Sequence, residues 1–235
     1  MQIFYAPDID GNEYILDETE SRHCIRVLRM TSGTVVNLID GEGNLYKGVI
    51  KDPDQRACSI EISQVIRNFE KRPYYLHLAI SPLKNTERFE WFVEKSVEIG
   101  IDEITPVICS NSEKKVIKAE RLKNIIVSAM KQSIKAFGTK FNPPAEFSNF
   151  VKEYHKGTRL IAHCNNEFER VLLRSAYPAG NDAVILIGPE GDFSPQEITT
   201  ANASGYLSIQ LGNSRLRSET AGVAACHSIY FMNQG

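Results

Sequence analysis

The sequence contains no run approaching the ~18 consecutive apolar residues that a membrane helix requires. It opens Met1-Gln2-Ile3-Phe4-Tyr5-Ala6-Pro7-Asp8, with neither the basic region nor the apolar stretch of a signal peptide. The expectation is a soluble, cytoplasmic protein. Its five cysteines, at 24, 58, 109, 164 and 226, are odd in number and widely spaced. They form no Cys-x-x-Cys pair and no Cys/His cluster with metal-ligand spacing, so the expectation is reduced thiols and no metal. Neither Gly-x-x-x-x-Gly-Lys-Ser/Thr nor Gly-x-Gly-x-x-Gly occurs, which removes the usual phosphate-loop and dinucleotide fingerprints. A formal net charge of −2 argues against indiscriminate nucleic-acid binding. Internal repeats and low-complexity tracts are also missing.

At 235 residues, 42% hydrophobic and 24% charged, the chain is long enough for one large or two modest globular domains. Positive charge is concentrated locally. Arg22, His23, Arg26 and Arg29 crowd one acid-free stretch, and residues 113 to 140 hold eight Lys or Arg against two Glu. Such a run is either a solvated helix face or part of a phosphate-binding surface.

The division falls near residues 67 to 74, in the polar connector Arg67-Asn68-Phe69-Glu70-Lys71-Arg72-Pro73. Ahead of it, 34 to 40, 44 to 52 and 57 to 66 read as strands, with a helix over 18 to 28. Residues 1 to 70 therefore form a small β-barrel-like domain. From 74 to 235 strands and helices alternate, the mark of a largely parallel sheet. Its strands are 75 to 80, 103 to 108, 158 to 162, 184 to 187 and 206 to 211, with helices at 87 to 99, from Pro195, and at 220 to 232. Trp91, the one tryptophan, is a base-stacking platform or a packing residue.

Two strand ends deliver the most informative loops. After the apolar run 183 to 187 comes Gly188-Pro189-Glu190-Gly191-Asp192-Phe193-Ser194-Pro195-Gln196-Glu197, in which Ser194, Pro195 and Glu197 spell a capping box with Pro at N1. Glu190 and Asp192 would repel a phosphate, so this loop is either an ordinary turn or a site for a cationic or hydroxyl-rich ligand. After 206 to 211 comes Gly212-Asn213-Ser214-Arg215-Leu216-Arg217-Ser218-Glu219-Thr220-Ala221, whose charges sit against an apolar final helix and need partners or a function.

Leu-Ile-Gly-Pro-Glu-Gly-x-Phe-Ser followed by Leu-Gly-x-x-x-Leu-Arg-x-Glu-Thr-Ala resembles the bacterial ribosomal RNA small subunit methyltransferase E family, of the SPOUT superfamily. The likeness extends to Arg22-His23-Cys24-Ile25-Arg26-Val27-Leu28-Arg29, to Lys84, Glu87 and Arg88, to Lys95 with Glu98-Ile99-Gly100, and to Gln132-Ser133. Two positions depart from the family pattern: Lys135 stands in place of Arg, and Asp192 in place of Gly.

The resemblance implies an α/β fold, a SPOUT-type trefoil-knotted parallel-sheet domain preceded by a small PUA-like RNA-binding β-barrel. It implies S-adenosyl-L-methionine as methyl donor and N3 of a uridine in the decoding region of 16S ribosomal RNA, in the small subunit, as acceptor. It also implies a homodimer. The donor pocket would be built from His163, from Ile187, Gly188, Pro189, Glu190 and Gly191, from Leu211, Gly212 and Leu216, and from Thr220. Arg217 would stabilise the anionic base, with Glu219 orienting it or accepting the proton; alternatively an Arg217–Glu219 pair merely fixes the last helix. RNA contacts would come from Arg22, His23, Arg26, Arg29, Lys84 and Arg88. Two other readings stay open: a non-catalytic ribosome-assembly factor of this fold, and an oxidoreductase holding a dinucleotide at the Gly188 loop.

Overall fold

The computed structural model describes residues 2–153 and 155–234. They form two compact units, residues 1–71 with 127–138, and residues 72–126 with 139–235.

In the first unit, β1 (Ile3–Tyr5), β2 (Glu13–Ile15), β3 (Val35–Ile39), β4 (Leu45–Asp52) and β5 (Ser59–Ile66) form one sheet in the order β1-β3-β4-β5-β2. β1 and β3 are parallel, and the other pairs antiparallel. Register shifts between β4 and β5 at Lys47/Gly48 and Ile50/Asp52 curl the sheet around Phe4, Leu16, Val36, Leu38, Ile50 and Ile60. The helix expected over 18 to 28 is split. Asp17 caps α1 (Glu18–Arg22) by accepting the Glu20 N–H, and a π-helical turn follows at His23–Val27. The wider turn, closed by Leu28 N–H to the His23 carbonyl, buries Cys24 while Arg22, His23 and Arg26 remain exposed. Such turns are rare and occur frequently at functional sites.

The second unit contains β6 (Leu76–Ile80), α2 (Thr86–Ile99), β7 (Glu103–Ile108), β8 (Lys140–Phe141), β9 (Ala145–Glu146), β10 (Thr158–Ala162), β11 (Val171–Leu172), β12 (Ala183–Ile187) and β13 (Leu207–Gln210). Its helices continue with α3 (Ala119–Ser133), α4 (Phe147–Phe150), α5 (Leu173–Ala176), α6 (Pro195–Ala203) and α7 (Ser218–Met232). α3 is divided between the two units at residue 126. The sheet runs β11-β13-β10-β12-β6-β7-β8, every pairing parallel, with β9 also on β7. β6 and β12 are buried at every position, as expected of parallel strands covered on both faces. α2 and α7 pack on each other, and α7 also packs on β6 and β12. This close fit depends on Gly222, where a Cβ would fall 2.5 Å from Phe92 Cε2. Among the described residues no helix is long and apolar enough to cross a membrane.

Near the amino ends of β6 and β7, His77 Nε2 lies 2.7 Å from Thr105 Oγ1, and Glu103 accepts hydrogen bonds from Tyr75, Lys140 and Asn142. Burial holds the His77 imidazole down at about 4. Burial alone would raise Glu103, but its three donors outweigh that and hold it at about 2. From its ordinary value of 6.5 down to about pH 4, the unfolded chain binds a proton at residue 77 that the folded chain does not. Stability is therefore expected to be full above pH 6.5 and to drop by about 3 kcal/mol across that interval, before Glu103 adds its own loss below it. Urea unfolding at stepped pH checks this; an unchanged slope between pH 6.5 and 4 in His77→Gln would refute the assignment.

Candidate functional site

Three adjacent parallel strands, β13, β10 and β12, end at the same edge of the sheet. Ligands bind there in open α/β sheets because the diverging loops leave a crevice. The loops that follow them, with the first turns of α2 and α7, enclose a cleft of about 450 Å³.

The Gly188 loop is held in detail. Ser194 accepts the Glu197 N–H while the Glu197 carboxylate accepts the Ser194 N–H, so the capping box predicted from sequence forms and starts α6. The other oxygen of Glu197 accepts the Ser110 N–H at 2.7 Å. Asn111 donates to the carbonyls of Gly191 and Asp192. Gly188 sits close under the Phe193 ring, where a Cβ would lie 3.1 Å away and the ring would have to give by a few tenths of an ångström.

Asp192 accounts for the departure from the family pattern. It has φ +62°, the left-handed region that favours glycine, and an L residue there costs roughly 1 kcal/mol. Its Oδ2 accepts the Cys164 N–H at 2.7 Å, offsetting that cost by tying the loop after β12 to the loop after β10. Two walls of the cleft are thereby clamped by one side chain.

His163 lines the cleft and is 5% exposed. Neither ring nitrogen makes a hydrogen bond of normal geometry among the described residues, although the Asn165 backbone lies close enough to favour the charged ring. Burial lowers its pKa, against the pull of Asp192, so the ring is neutral at pH 7. An imidazole buried without well-formed hydrogen bonds is costly. Arg170 Nη1 donates to the His163 carbonyl at 2.8 Å.

Ile187, Gly188, Pro189, Glu190, Leu211, Gly212, Leu216 and Arg217 also line the cleft, joined by Arg88, Arg170, Asp192 and Arg215. Gly191 and Thr220 are not on its wall. Gly191 turns toward Asn111, and Thr220 sits on the solvent side of α7. Glu219 is turned away as well. It is buried, with Oε1 3.8 Å from Arg88 Nε, because α7 presents Arg217, Ser218 and Ala221 to the cleft and residues 219 and 222 to its packed side. The Arg217–Glu219 pair is thus not formed. Arg217 caps α7 by backbone alone, is exposed, and has no ion pair or side-chain hydrogen bond among the described residues. Carboxylates at 190 and 192 face guanidiniums from 88, 170, 215 and 217 in one small volume.

Arg22, His23, Arg26 and Arg29 are exposed in the first unit. Arg22 pairs with Glu18 one turn earlier, and Arg29 takes a left-handed φ of +55°. In the second unit Lys84 pairs with Glu113 at 2.8 Å, and its N–H donates to Glu190 Oε1 at 3.0 Å. Arg170 and Asn111 were invisible to sequence reasoning. Arg170, just before β11, lines the cleft, whereas Asn111, beyond β7, braces the Gly188 loop without lining it, and only the folded register brings either to its place. No group of three or more His, Cys, Asp or Glu suited to a metal occurs among the described residues.

Residues 70–230 match the family described as RNA methyltransferase domain, and residues 16–63 the RNA methyltransferase PUA domain. A probable rRNA-methyltransferase from Porphyromonas gingivalis is 39% identical and superimposes with a TM-score of 0.93 over 99% of this chain and 98% of its own. Ribosomal RNA small subunit methyltransferase E from Neisseria gonorrhoeae, in a structure bound to S-adenosyl methionine, gives a TM-score of 0.86 at 25% identity, over 99% of this chain and 98% of its own. The enzyme of that name from Aquifex aeolicus is 28% identical over 228 residues, 95% of this chain and 96% of its own. Matched in sequence over most of its length and in fold over nearly all of it, with a PUA-like unit ahead of the parallel sheet, the chain belongs to the ribosomal RNA small subunit methyltransferase E family of RNA methyltransferases.

Proposed function

We propose that this protein methylates N3 of a specific uridine in the decoding region of 16S ribosomal RNA, using S-adenosyl-L-methionine and working as a cytoplasmic homodimer. The observation that carries the reading is the cleft itself, a pocket at the carboxyl edge of β10, β12 and β13 into which an unpaired guanidinium, Arg217, projects. Its volume of about 450 Å³ falls within the ~300–1,000 Å³ usual for cofactor sites. Its donor set suits the methyl donor. Ile187, Leu211 and Leu216 offer apolar walls for a purine, Glu190 and Asp192 favour a cationic centre, and the buried His163 ring supplies one donor and one acceptor on a small adjustment. Bound there, S-adenosyl-L-methionine supplies an activated methyl group on a sulfonium.

The protein's task is to position uridine N3 and to stabilise the charge left when its proton departs. Arg217 donates to the developing anionic carbonyl oxygen of the base. Glu219 acts at one remove, holding Arg88 at the cleft wall. Arg22, His23, Arg26 and Arg29 contact phosphates from residues 1–70, leaving chemistry to residues 74–235. The return of α7 onto β6 and β12, after β13 has been laid beyond β10, supports the trefoil knot.

Incubation with unmethylated small subunits and labelled donor, followed by complete digestion of the RNA, is expected to yield 3-methyluridine. Label in a 2′-O-methyl nucleotide would overturn the assignment.

The dimer reading rests on the outer side of α7, where Phe231 is 69% exposed beside His227, ring centroids 6.3 Å apart. An exposed aromatic of this kind fits a two-fold interface, which repeats one patch on both chains. Phe231→Asp is expected to convert a sedimenting dimer into monomer; a wild-type monomer at micromolar concentration would refute the reading.

A further inference from the structure

A second cleft, of about 410 Å³, shares α2 with the first. Arg88 lines the first cleft, whereas Thr86, Glu87, Phe89 and Glu90 line the second. The two are also joined through the Lys84 N–H, held by Glu190 of the first, next to Leu83 of the second. Leu83, Phe89 and Leu122 are buried beneath it, Ile117 is half-buried, and Val116 stands 76% exposed.

The charge lining this apolar slot is positive on balance, with Lys114, Lys118 and Arg121 against Glu87 and Glu90. Glu90 is engaged by Arg121 through two hydrogen bonds of 2.5 and 2.8 Å, and Glu87 adds one further carboxylate. Lys114, hydrogen-bonded to Thr86, and its neighbours Lys115 and Lys118 have no carboxylate partner among the described residues. In addition, residues 113–117 make no main-chain hydrogen bond to another main-chain group among those described, which leaves backbone donors and acceptors free along one wall.

An apolar slot floored by Leu83, Phe89 and Leu122 and flanked by Lys114 and Lys118, which no carboxylate neutralises among the described residues, suits a flat base carrying a phosphate. We infer that this cleft holds an unstacked nucleotide of the substrate RNA, close in sequence to the nucleotide delivered to the first cleft. The inference rests on the RNA methyltransferase reading above and extends it to the specificity of the same substrate. α2 then separates two bases, with Arg88 on one side and Phe89 on the other. Seating a flanking base there selects the sequence around the target and fixes the strand's direction across the cleft.

Trp91, the sole tryptophan, is 42% exposed on α2 beside Glu90 and reports binding by its fluorescence. The probes are a single-stranded, uridine-rich oligoribonucleotide and uridine 5′-monophosphate, with the full chain as wild type and as Ile117→Asp/Lys118→Glu. Both substitutions lie in a segment without regular structure, and thermal melting verifies that the variant is folded. The variant is expected to bind the oligonucleotide at least ~10-fold more weakly, with a salt slope lower by roughly one. Its affinity for S-adenosyl-L-methionine should be unchanged. Unaltered oligonucleotide affinity in a folded variant overturns the inference. So does tight mononucleotide binding with RNA binding unaffected, which marks a free-nucleotide site, or a change in sedimentation without a change in RNA affinity, which marks a contact between copies. A wild-type protein that binds the oligonucleotide through this cleft but does not bind S-adenosyl-L-methionine would refute the methyltransferase reading and leave the cleft's assignment standing.

Discussion

Single-turnover methylation at saturating donor is expected to fall by about 10²–10³-fold when Arg217 is replaced by alanine, the loss typical of removing one donor that acts on transition-state charge. The geometry makes this a clean experiment. Arg217 is exposed and unpaired, so its removal strands no buried partner, and stability should change by no more than about 0.5 kcal/mol. RNA affinity should largely survive. Arg88→Ala is the contrasting control, since it leaves the buried Glu219 carboxylate without its guanidinium and is expected to cost about 1–3 kcal/mol in stability. If Arg217→Ala turns over at a near-normal rate, the proposed role is wrong.

Gly222→Val is expected to destabilise the protein by about 3 kcal/mol, at the upper end for forcing volume into a packed interior. For a chain of this size that corresponds to roughly 6–12 °C in Tm. The added Cβ alone would lie 2.5 Å from Phe92 Cε2 and 3.2 Å from Ile80 Cδ1, and Phe92 is fully buried with no direction in which to yield. Phe92→Ala makes a cavity of its own, at about 3–5 kcal/mol. The valine would occupy part of that space, so the double variant should be more stable than the sum of the two losses by at least about 1 kcal/mol. Strict additivity in urea unfolding would show that the two helices separate rather than compress. Because Arg217 and Ser218 begin α7, a displaced helix should also raise the KM for donor.

Several elements of the second unit were legible because each keeps one period along its whole length. α3, at fifteen residues as long as α7, was not expected as a helix, since its stretch stood out only as a run of basic charge. β7, expected at 103 to 108, occupies Glu103–Ile108, and α7 begins two residues before the expected 220. β8, β9 and β11, of two residues each, and α4 and α5, of four, are too short to carry a period and exist only because longer neighbours present edges to them. The π-helical turn was read as continuous helix, since its signal is the burial of Cys24 rather than any residue preference. At the cleft, short motifs brought out the Gly188 and Leu211 loops, but partnerships across the chain did not show. Glu219 was paired in sequence with Arg217, two positions away, and in the fold meets Arg88, 131 positions away. Asp192 looked like a defect in a glycine motif until Cys164 supplied its counterpart.

The interleaving of the two units has a temporal consequence. Gly43 donates its N–H to the Ala136 carbonyl, and the Phe137 ring fills the space over Gly43 that a side chain would need. The first unit is thus sealed by residues that leave the ribosome tens of positions after Lys71. During synthesis it waits, part-built, while the first third of the other unit is produced. Cutting the gene at the connector would therefore yield an N-terminal fragment missing its own plug. A fragment that retains residues 127–138, through circular permutation or a short artificial linker, is the form in which that unit would stand alone.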